Sequence, residues 1–418
     1  MNFLAVSDVL SISGITAVVL IAFIVAMLGY LLGSIKIKGI SLGTAGVFLV
    51  AIAFGFLVAI PGLKDIDFLK NFYIENDQAK AYSYFKELDT IGLILFVTSV
   101  GFIAGPTFFR DLKQNARSYV PLGIIIILSG VLVAVVFALM PGIGSDFSAG
   151  VLSGALTSTP AFSAAENALT DATQKANVAL GHAIAYPFGV VGVVLFVQLV
   201  PRIMKANMSE EVMKMQSALP ELRERKIVET RDIDEFGLTA FSVAVILGIF
   251  LGGLTVNVNG MKFNLGTTGG PLIVALILGH VGRIGKLSLK VPDKTLKVFR
   301  EFGLMLFLIG AGVRGGVSLL AQIMEGKFVP INILWGFVAG ALMTIIPMFV
   351  GFFFAKKVLK LPLLNNLGSI TGGMTSTPAL GTLCQVSETD NVAGAYASTY
   401  PIALVLIVIA SNLMVTLL

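Results

Sequence analysis

The chain has 418 residues, of which 56% are hydrophobic and only 13% are charged, and its formal net charge is +5. A soluble protein is about 25% charged, so this composition excludes a water-soluble fold and favours an integral membrane protein. Because the basic residues occur in particular loops and not along one stripe, we expect no nucleic-acid partner. The one cysteine, Cys384, excludes an intramolecular disulfide and a cysteine-built zinc site.

Apolar segments follow one another along the whole chain. A spanning helix needs about 20 predominantly apolar residues, because hydrocarbon tolerates no unpaired backbone group. Ten long segments predict such spans, approximately at 9–33, 40–60, 90–109, 118–141, 178–200, 237–256, 265–282, 302–320, 330–355 and 392–417. Two more, at 147–168 and 364–386, are interrupted by Thr-Ser-Thr-Pro. We therefore divide the chain into a first membrane repeat (1–200), a charged cytoplasmic linker (201–236) and a second membrane repeat (237–418).

The basic loops predict which side of the membrane each segment faces. Lysine and arginine concentrate in cytoplasmic loops, and in this chain they concentrate at 34–39, 110–117, 201–235, 283–300 and 356–360. All these stretches fall on one side if the first interrupted segment enters the membrane and returns, whereas a full crossing would place the linker outside. We therefore predict a re-entrant hairpin or broken helix in each repeat, and both termini outside the cell.

Four pairs of similar sequences occur in the same order in the two halves, which indicates a duplication. The pairs are Leu-Gly-Thr-x-Gly at 42–46 and 265–269, Gly-Leu-x-Leu-Phe at 92–96 and 303–307, Thr-Ser-Thr-Pro at 157–160 and 375–378, and Tyr-Pro at 186–187 and 400–401. Because each repeat has five crossings, an odd number, the second repeat must enter from the opposite side. The predicted fold is an all-α polytopic membrane protein of two inverted-topology five-helix repeats, a construction typical of secondary transporters.

The paired Thr-Ser-Thr-Pro motifs are the main candidates for a solute site. Pro160 and Pro378 lack a donor N–H and are expected to open their helices, which frees backbone groups. Neighbouring hydroxyls can satisfy those groups or bind a solute, and helix N-termini at the breaks would favour an anion. The candidate substrate residues of the motifs are Thr157, Ser158, Thr159, Pro160, Thr375, Ser376, Thr377 and Pro378.

Arg314 is the ionisable residue most clearly inside a predicted span. A cation there costs about 2.5–3.5 kcal/mol to insert, so it usually faces a partner or a cavity. If it points inward, its planar fork can grip a carboxylate, and we include it among the substrate residues. The alternative is an anchor that reaches the outer interface. His182 begins a predicted span, where a histidine bonded to water is more common than a proton relay.

The Gly-Ala-Leu-Thr-Ser-Thr-Pro and Gly-Gly-Met-Thr-Ser-Thr-Pro elements, with the other repeated motifs, resemble the aspartate–alanine exchanger family over essentially the whole chain. This resemblance implies exchange of small amino acids or dicarboxylates without ATP. Many members carry two regulatory modules between their halves, for which the linker is too short here. The spacing is also similar to that of sodium–glutamate symporters, which have a Gly-Gly-His-Gly-Thr-like element instead of Thr-Ser-Thr-Pro. Both families imply a homodimer and an elevator-type mechanism.

Together these features predict a lipid-embedded, non-enzymatic transporter of the cytoplasmic membrane that exchanges small anionic or zwitterionic carboxylates. A sodium-coupled carboxylate symporter and an anion channel remain alternatives, and a channel would need no counter-solute. An intramembrane serine hydrolase is disfavoured because His182 occurs in one half only. The chain has no Walker-type loop, HExxH motif or nucleophile elbow, so we expect no cofactor and no bound metal.

Overall fold

The computed structural model describes residues 14–37, 40–41, 44–66, 72–74, 80–217, 231–258, 261–263, 265–324 and 330–418. Within these residues the chain is mostly helical. Its α-helices are α1 (Gly14–Ser34), α2 (Ala45–Val58), α3 (Lys80–Ala138), α4 (Ser145–Ala155), α5 (Thr159–Ala168), α6 (Ala172–Ile203), α7 (Met208–Ser217), α8 (Leu238–Gly253), α9 (Gly266–Val281), α10 (Asp293–Met324), α11 (Pro330–Lys357), α12 (Leu363–Gly373), α13 (Thr377–Ser387) and α14 (Val392–Leu417).

Short antiparallel strand pairs connect some of these helices. They are β1 (Lys36–Ile37) with β2 (Ile40–Ser41), β3 (Val256–Val258) with β4 (Met261–Phe263), and β5 (Arg283–Ile284) with β6 (Leu287–Ser288). The end of the linker joins the last pair, because the amide of Arg231 donates to the Lys286 carbonyl oxygen at 2.8 Å. Asp234 then caps α8: its carboxylate accepts the N–H groups of Thr239 and Leu238 at 2.9 and 2.7 Å, which lowers its pKa.

Each predicted long span overlaps a helix of the described residues, with 90–109 and 118–141 both in α3, and two basic stretches differ from the prediction. Residues 110–117 continue α3, because Arg, Leu, Lys, Gln and Ala favour helix and this stretch has no Gly or Pro. The stretch 283–300 is partly helical, since α10 begins at Asp293, an acidic residue that suits a first turn. The start of the predicted span 9–33 and the linker residues 218–230 lie outside the described residues.

One of two compact units comprises Met1–Leu93 and Gly303–Ile333. Its helices approach one another at glycines. A Cβ atom on Gly46 of α2 would lie 2.5 Å from the Gly29 carbonyl oxygen of α1, and one on Gly55 would lie 2.1 Å from the Val313 carbonyl oxygen of α10. Such backbone contact is possible only where the side chain is absent, which is the usual way in which membrane helices pack closely.

The other unit comprises Ile94–Phe302 and Leu334–Leu418. Part of its core is a buried apolar cluster in which Phe102 of α3 and Phe241 of α8 stack with ring centroids 6.2 Å apart. Helix α11 packs against α6, with the rings of Phe196 and Phe349 edge to face at 5.4 Å. Both Thr-Ser-Thr-Pro motifs belong to this unit, and the candidate site is described within it.

Candidate functional site

The first Thr-Ser-Thr-Pro motif lies at the tip of a hairpin formed by α4 and α5. Near the start of α6, Asn177 donates a 2.9 Å hydrogen bond to the carboxylate of Asp146 at the start of α4. Further along both helices, Gly154 contacts the backbone of His182 and Tyr186. Helices α4 and α6 therefore run side by side in the same direction. Because α6 begins only four residues after α5 ends, α5 must return from the tip to where α4 began.

The second motif lies at the tip of a matching hairpin formed by α12 and α13. Gly368 of α12 packs on Val392 at the start of α14, and Gly372 packs on Tyr396 one turn later. These two helices also run in the same direction, so α13 returns as α5 does. A helix of 10 or 11 residues is about 16 Å long, roughly half the thickness of the hydrocarbon core. We call α4–α5 the first hairpin and α12–α13 the second hairpin.

Both tips have the same backbone path. Thr157 and Thr375 adopt the left-handed conformation, with φ of 52° and 48°. The amide of the following serine donates to the carbonyl oxygen five residues earlier, at 2.8 Å in the first hairpin and 2.9 Å in the second. This is the Schellman ending of a helix, at which glycine is usual. A β-branched residue is strained there, so its presence at both tips indicates that the hydroxyl is required.

The two threonine hydroxyls connect the tips. Thr157 Oγ1 donates to the carbonyl oxygen of Thr375 at 3.1 Å and is 3.4 Å from that of Met374. In return, Thr375 Oγ1 donates to the carbonyl oxygen of Leu156. Each hydroxyl thus satisfies a carbonyl that the end of the opposite helix leaves without a helical partner. The two hairpins meet tip to tip through this reciprocal pair.

The prolines act differently from the sequence expectation. Pro160 and Pro378 do not kink a continuous helix; each lies in the first turn of the returning helix, α5 or α13. A first-turn N–H has no helical partner, so proline is tolerated there and its fixed φ suits a helix start. Helix N-termini nevertheless lie at the breaks, because both returning helices begin at the tips. Their partial positive charge is directed to the place where the hairpins meet.

Serine and neighbouring groups differ between the tips. Ser158 Oγ accepts the amide of Ala161 at 3.4 Å and so caps α5, whereas Ser376 makes no such cap on α13. Thr159 is exposed, and its counterpart Thr377 is 5% exposed. The second tip is therefore the more buried of the two and the less completely hydrogen-bonded.

His182 of α6 and Tyr396 of α14 occupy corresponding places beside the hairpins. His182 has partners within the protein, whereas the sequence favoured a histidine bonded to water. Its Nδ1 lies 2.8 Å from Ser153 Oγ, and its ring is 4.8 Å from Phe162 within the first hairpin. Tyr396 is 1% exposed and stacks on Tyr400 at 5.2 Å. Each hairpin thus has an aromatic side chain of the neighbouring long helix, α6 or α14, beside it.

Arg314 lies in the other unit and has an internal partner. Its guanidinium is paired with the carboxylate of Asp89 on α3 and stands 5.9 Å from the ring centroid of Tyr82. The two charged side chains are 24% and 13% exposed, so the pair is largely removed from solvent. The sequence reasoning missed Asp89. The aligned Gly-Leu-x-Leu-Phe repeats place it opposite another charged residue, Arg300, and that coincidence could have drawn attention to both.

Arg300 was also missed as more than a basic loop residue. It is 6% exposed and pairs with Asp390, in the turn between α13 and α14, and with Glu301 at 3.0 Å. Glu301 in turn accepts a 3.3 Å hydrogen bond from Gln385 of α13. An ion network around the buried Arg300 therefore joins the open end of the second hairpin to α10.

Six helical segments of the described residues, two of them in α3, are long and apolar enough to cross a membrane. Together with the broken hairpins, they define a polytopic membrane protein. The chain belongs to the aspartate–alanine exchanger family, as the resemblance predicted. The family model, described as a predicted permease membrane region, matches residues 21–202 and 240–416, so it covers both membrane halves and leaves out the linker.

The chain is similar along its length to bacterial proteins named as uncharacterized transporters. One from Bacteroides fragilis is 25% identical over 550 aligned positions, which cover 94% of this chain and 97% of the relative. One from Rhodopirellula baltica is 25% identical over 561 positions, covering 96% and 99%. These alignments are longer than the 418 residues of this chain, so the relatives contain sequence without a counterpart here.

Proposed function

We propose that this protein is a secondary active transporter that exchanges small carboxylates, such as aspartate and alanine or dicarboxylates, across the cytoplasmic membrane. The observation that carries this function is the junction of the hairpin tips, where Thr157 and Thr375 bond across. Two helices begin there with their N-termini toward the junction, an arrangement that suits an anionic solute near the membrane midplane. Membership of a permease family supports the same function.

The inverted repeat is part of this proposal. Helix α6 begins beside the open end of the first hairpin, and α7, which follows it, contacts α12 and α13 of the second. This supports entry of the two hairpins from opposite sides of the membrane. The linker and the stretch 283–300 would then be cytoplasmic and both termini outside. Accessibility labelling of single cysteines in a Cys384-free background checks this, and labelling of the linker from outside intact cells would contradict it.

We propose that the eight motif residues line the solute site. Arg314 remains a proposed contact of the solute. Because its guanidinium is paired with Asp89, a solute carboxylate must compete with Asp89 to bind it. Arg314→Lys keeps the charge and loses the planar fork, so a true contact should recover only part of its affinity. If Arg314→Ala folds and binds carboxylates within about threefold of the wild type, under roughly 0.7 kcal/mol, the residue has only a structural role.

The mechanism that we propose is elevator-type alternating access in a homodimer. Its support is the family relationship and the division of the chain into two compact units, one of which contains both hairpins. No nucleotide, metal or other cofactor is part of the proposed cycle, since exchange of one solute for another supplies its own driving force.

Counterflow in proteoliposomes tests the function. Vesicles loaded with unlabelled L-aspartate, L-alanine or succinate should accumulate the labelled solute, and empty vesicles should take up much less. The matched variants are Thr159→Trp, which adds a bulky side chain at an exposed position of the first tip and should abolish counterflow while remaining monodisperse, and Thr170→Trp, at an exposed threonine outside the tips, which should not.

The alternatives give different results in the same assay. A sodium-coupled symporter would need a sodium gradient and would accumulate solute into empty vesicles. An anion channel would pass solute without a counter-solute. Unchanged counterflow in Thr159→Trp would refute the assignment of the site to the tips.

A further inference from the structure

We infer that one carboxylate of the transported solute binds on the second hairpin, between the N-terminus of α13 and the hydroxyls of Ser376 and Tyr396. This inference rests on the proposed function and says which of the two related tips holds the anion. It also names the groups that hold this carboxylate, which are neutral hydroxyls and backbone amides.

Two buried hydroxyls at the second hairpin, that of Ser376 in the hairpin and that of Tyr396 on the neighbouring α14, lack hydrogen bonds. Ser376 is 0% exposed and Tyr396 is 1% exposed, and neither hydroxyl has a hydrogen-bond partner among the described residues. The Tyr396 hydroxyl faces Thr377 without forming a hydrogen bond of good geometry. Burying a hydroxyl without a partner is unfavourable, so two such groups beside one helix start indicate that something else binds them.

The corresponding groups at the first hairpin, Ser158 in the hairpin and His182 on the neighbouring α6, are hydrogen-bonded within the protein. Ser158 Oγ caps α5 by accepting the Ala161 amide, and His182 shares a hydrogen bond with Ser153 Oγ. Lack of a partner alone does not mark a site, because Ser411 Oγ, also 0% exposed, has none in the described structure either. What distinguishes the second hairpin is that its unpartnered groups flank a helix N-terminus.

The start of α13 has the donors that a carboxylate needs. The first amides of an α-helix have no helical partner, Pro378 has no N–H, and Ser376 does not cap the helix. The amides of Thr377 and Ala379 therefore remain for a ligand. Together with the two hydroxyls they offer four donors to two carboxylate oxygens, and the helix dipole favours the negative charge.

The experiment compares unliganded stability with affinity in purified protein. Wild type is screened by thermal shift and titration calorimetry against L-aspartate, L-alanine and succinate, with L-alaninamide as the probe that lacks the carboxylate. Ser376→Ala and Tyr396→Phe remove a hydroxyl without a partner, so their unliganded melting temperatures should equal or exceed that of the wild type. Their affinity for the acid that binds should fall about tenfold or more.

Two further variants make the result specific. Ser158→Ala removes a helix cap and should lower the unliganded melting temperature, the opposite sign to Ser376→Ala. Ser411→Ala removes an equally buried hydroxyl of α14 far along the helix, and should keep wild-type affinity. If the wild type binds an acid and both Ser376→Ala and Tyr396→Phe keep its affinity within about threefold, the inference is overturned and the proposed function is not. An equal loss of affinity in Ser411→Ala would also overturn the inference alone. No binding or counterflow by the wild type overturns the proposed function as well.

Discussion

The two hairpin tips share a backbone path and differ in how their side chains are satisfied. Both place a strained threonine at the end of one helix and a proline in the first turn of the next. In the first tip the serine caps its helix, and in the second the equivalent serine is buried without a partner. The two tips therefore share one backbone path, and the second leaves a serine hydroxyl without a partner that the first uses as a cap. The difference between the two tips therefore says more about the solute site than their shared backbone path does.

The largest expected loss of stability follows from disturbing the close backbone packing that both hairpins share. A Cβ on Gly154 would lie 2.5 Å from the His182 carbonyl oxygen, and one on Gly372 would lie 2.4 Å from that of Tyr396. Backbone cannot move aside cheaply, so Gly154→Ala and Gly372→Ala should each cost about 3 kcal/mol or more and leave little folded protein. Fluorescence-detected size exclusion measures this.

The control is a helical glycine with room beside it. Within the described structure no atom lies within 4 Å of a Cβ on Gly315, so Gly315→Ala should be neutral or about 0.5–1 kcal/mol stabilising. Normal yield of only one of the two tip variants would show that the hairpins pack differently.

A second prediction concerns the open ends of the hairpins. Arg300→Met leaves Asp390 without its buried partner and should cost about 3 kcal/mol, the lower end for a buried pair, because Lys297 stays 3.8 Å from the Asp390 carboxylate. In the first hairpin, Asn177→Ala removes a single hydrogen bond to Asp146, which keeps the amide of Phe147, so about 1.5–3 kcal/mol is expected. Thermal unfolding of the two variants in detergent gives the ranking. Equal losses would mean that the ion network adds nothing beyond one bond.

A third prediction sharpens the likeness of the tips. Thr157→Val and Thr375→Val keep the shape and remove the hydroxyls that join the hairpins, and each should cost about 1–3 kcal/mol because a carbonyl loses its donor. Thr375→Val should cause the larger loss of stability, since Thr375 is 5% exposed whereas Thr157 is half-buried. The serine variants Thr157→Ser and Thr375→Ser restore the donor and should recover most of the stability. If valine were harmless at both tips, the reciprocal bonds would not hold the hairpins together.

The sequence was a good guide to the scaffold and a partial one to the site. Hydropathy predicts a span at 392–417, and α14 is Val392–Leu417. The repeated motif predicts a break in each half because proline and short hydroxyls occur together. The contact of Thr157 with Thr375 could not be predicted, since 218 residues separate them and no periodicity reports such a pairing. For the same reason Arg314 looked like a lone cation, although Asp89 neutralises it.

The smallest expected effect separates solute contact from structure at the first tip. Thr159 is exposed at the start of α5, so Thr159→Ala should change the unfolding free energy by no more than about 0.5 kcal/mol. If its hydroxyl contacts the solute, as proposed, loss of one neutral hydrogen bond should weaken affinity about two- to tenfold. The matched control is Thr170→Ala, an equally exposed threonine just after α5, which should alter neither quantity. Wild-type counterflow KM in Thr159→Ala would mean that the first tip only supports the second, and that recognition of the solute belongs to the second hairpin.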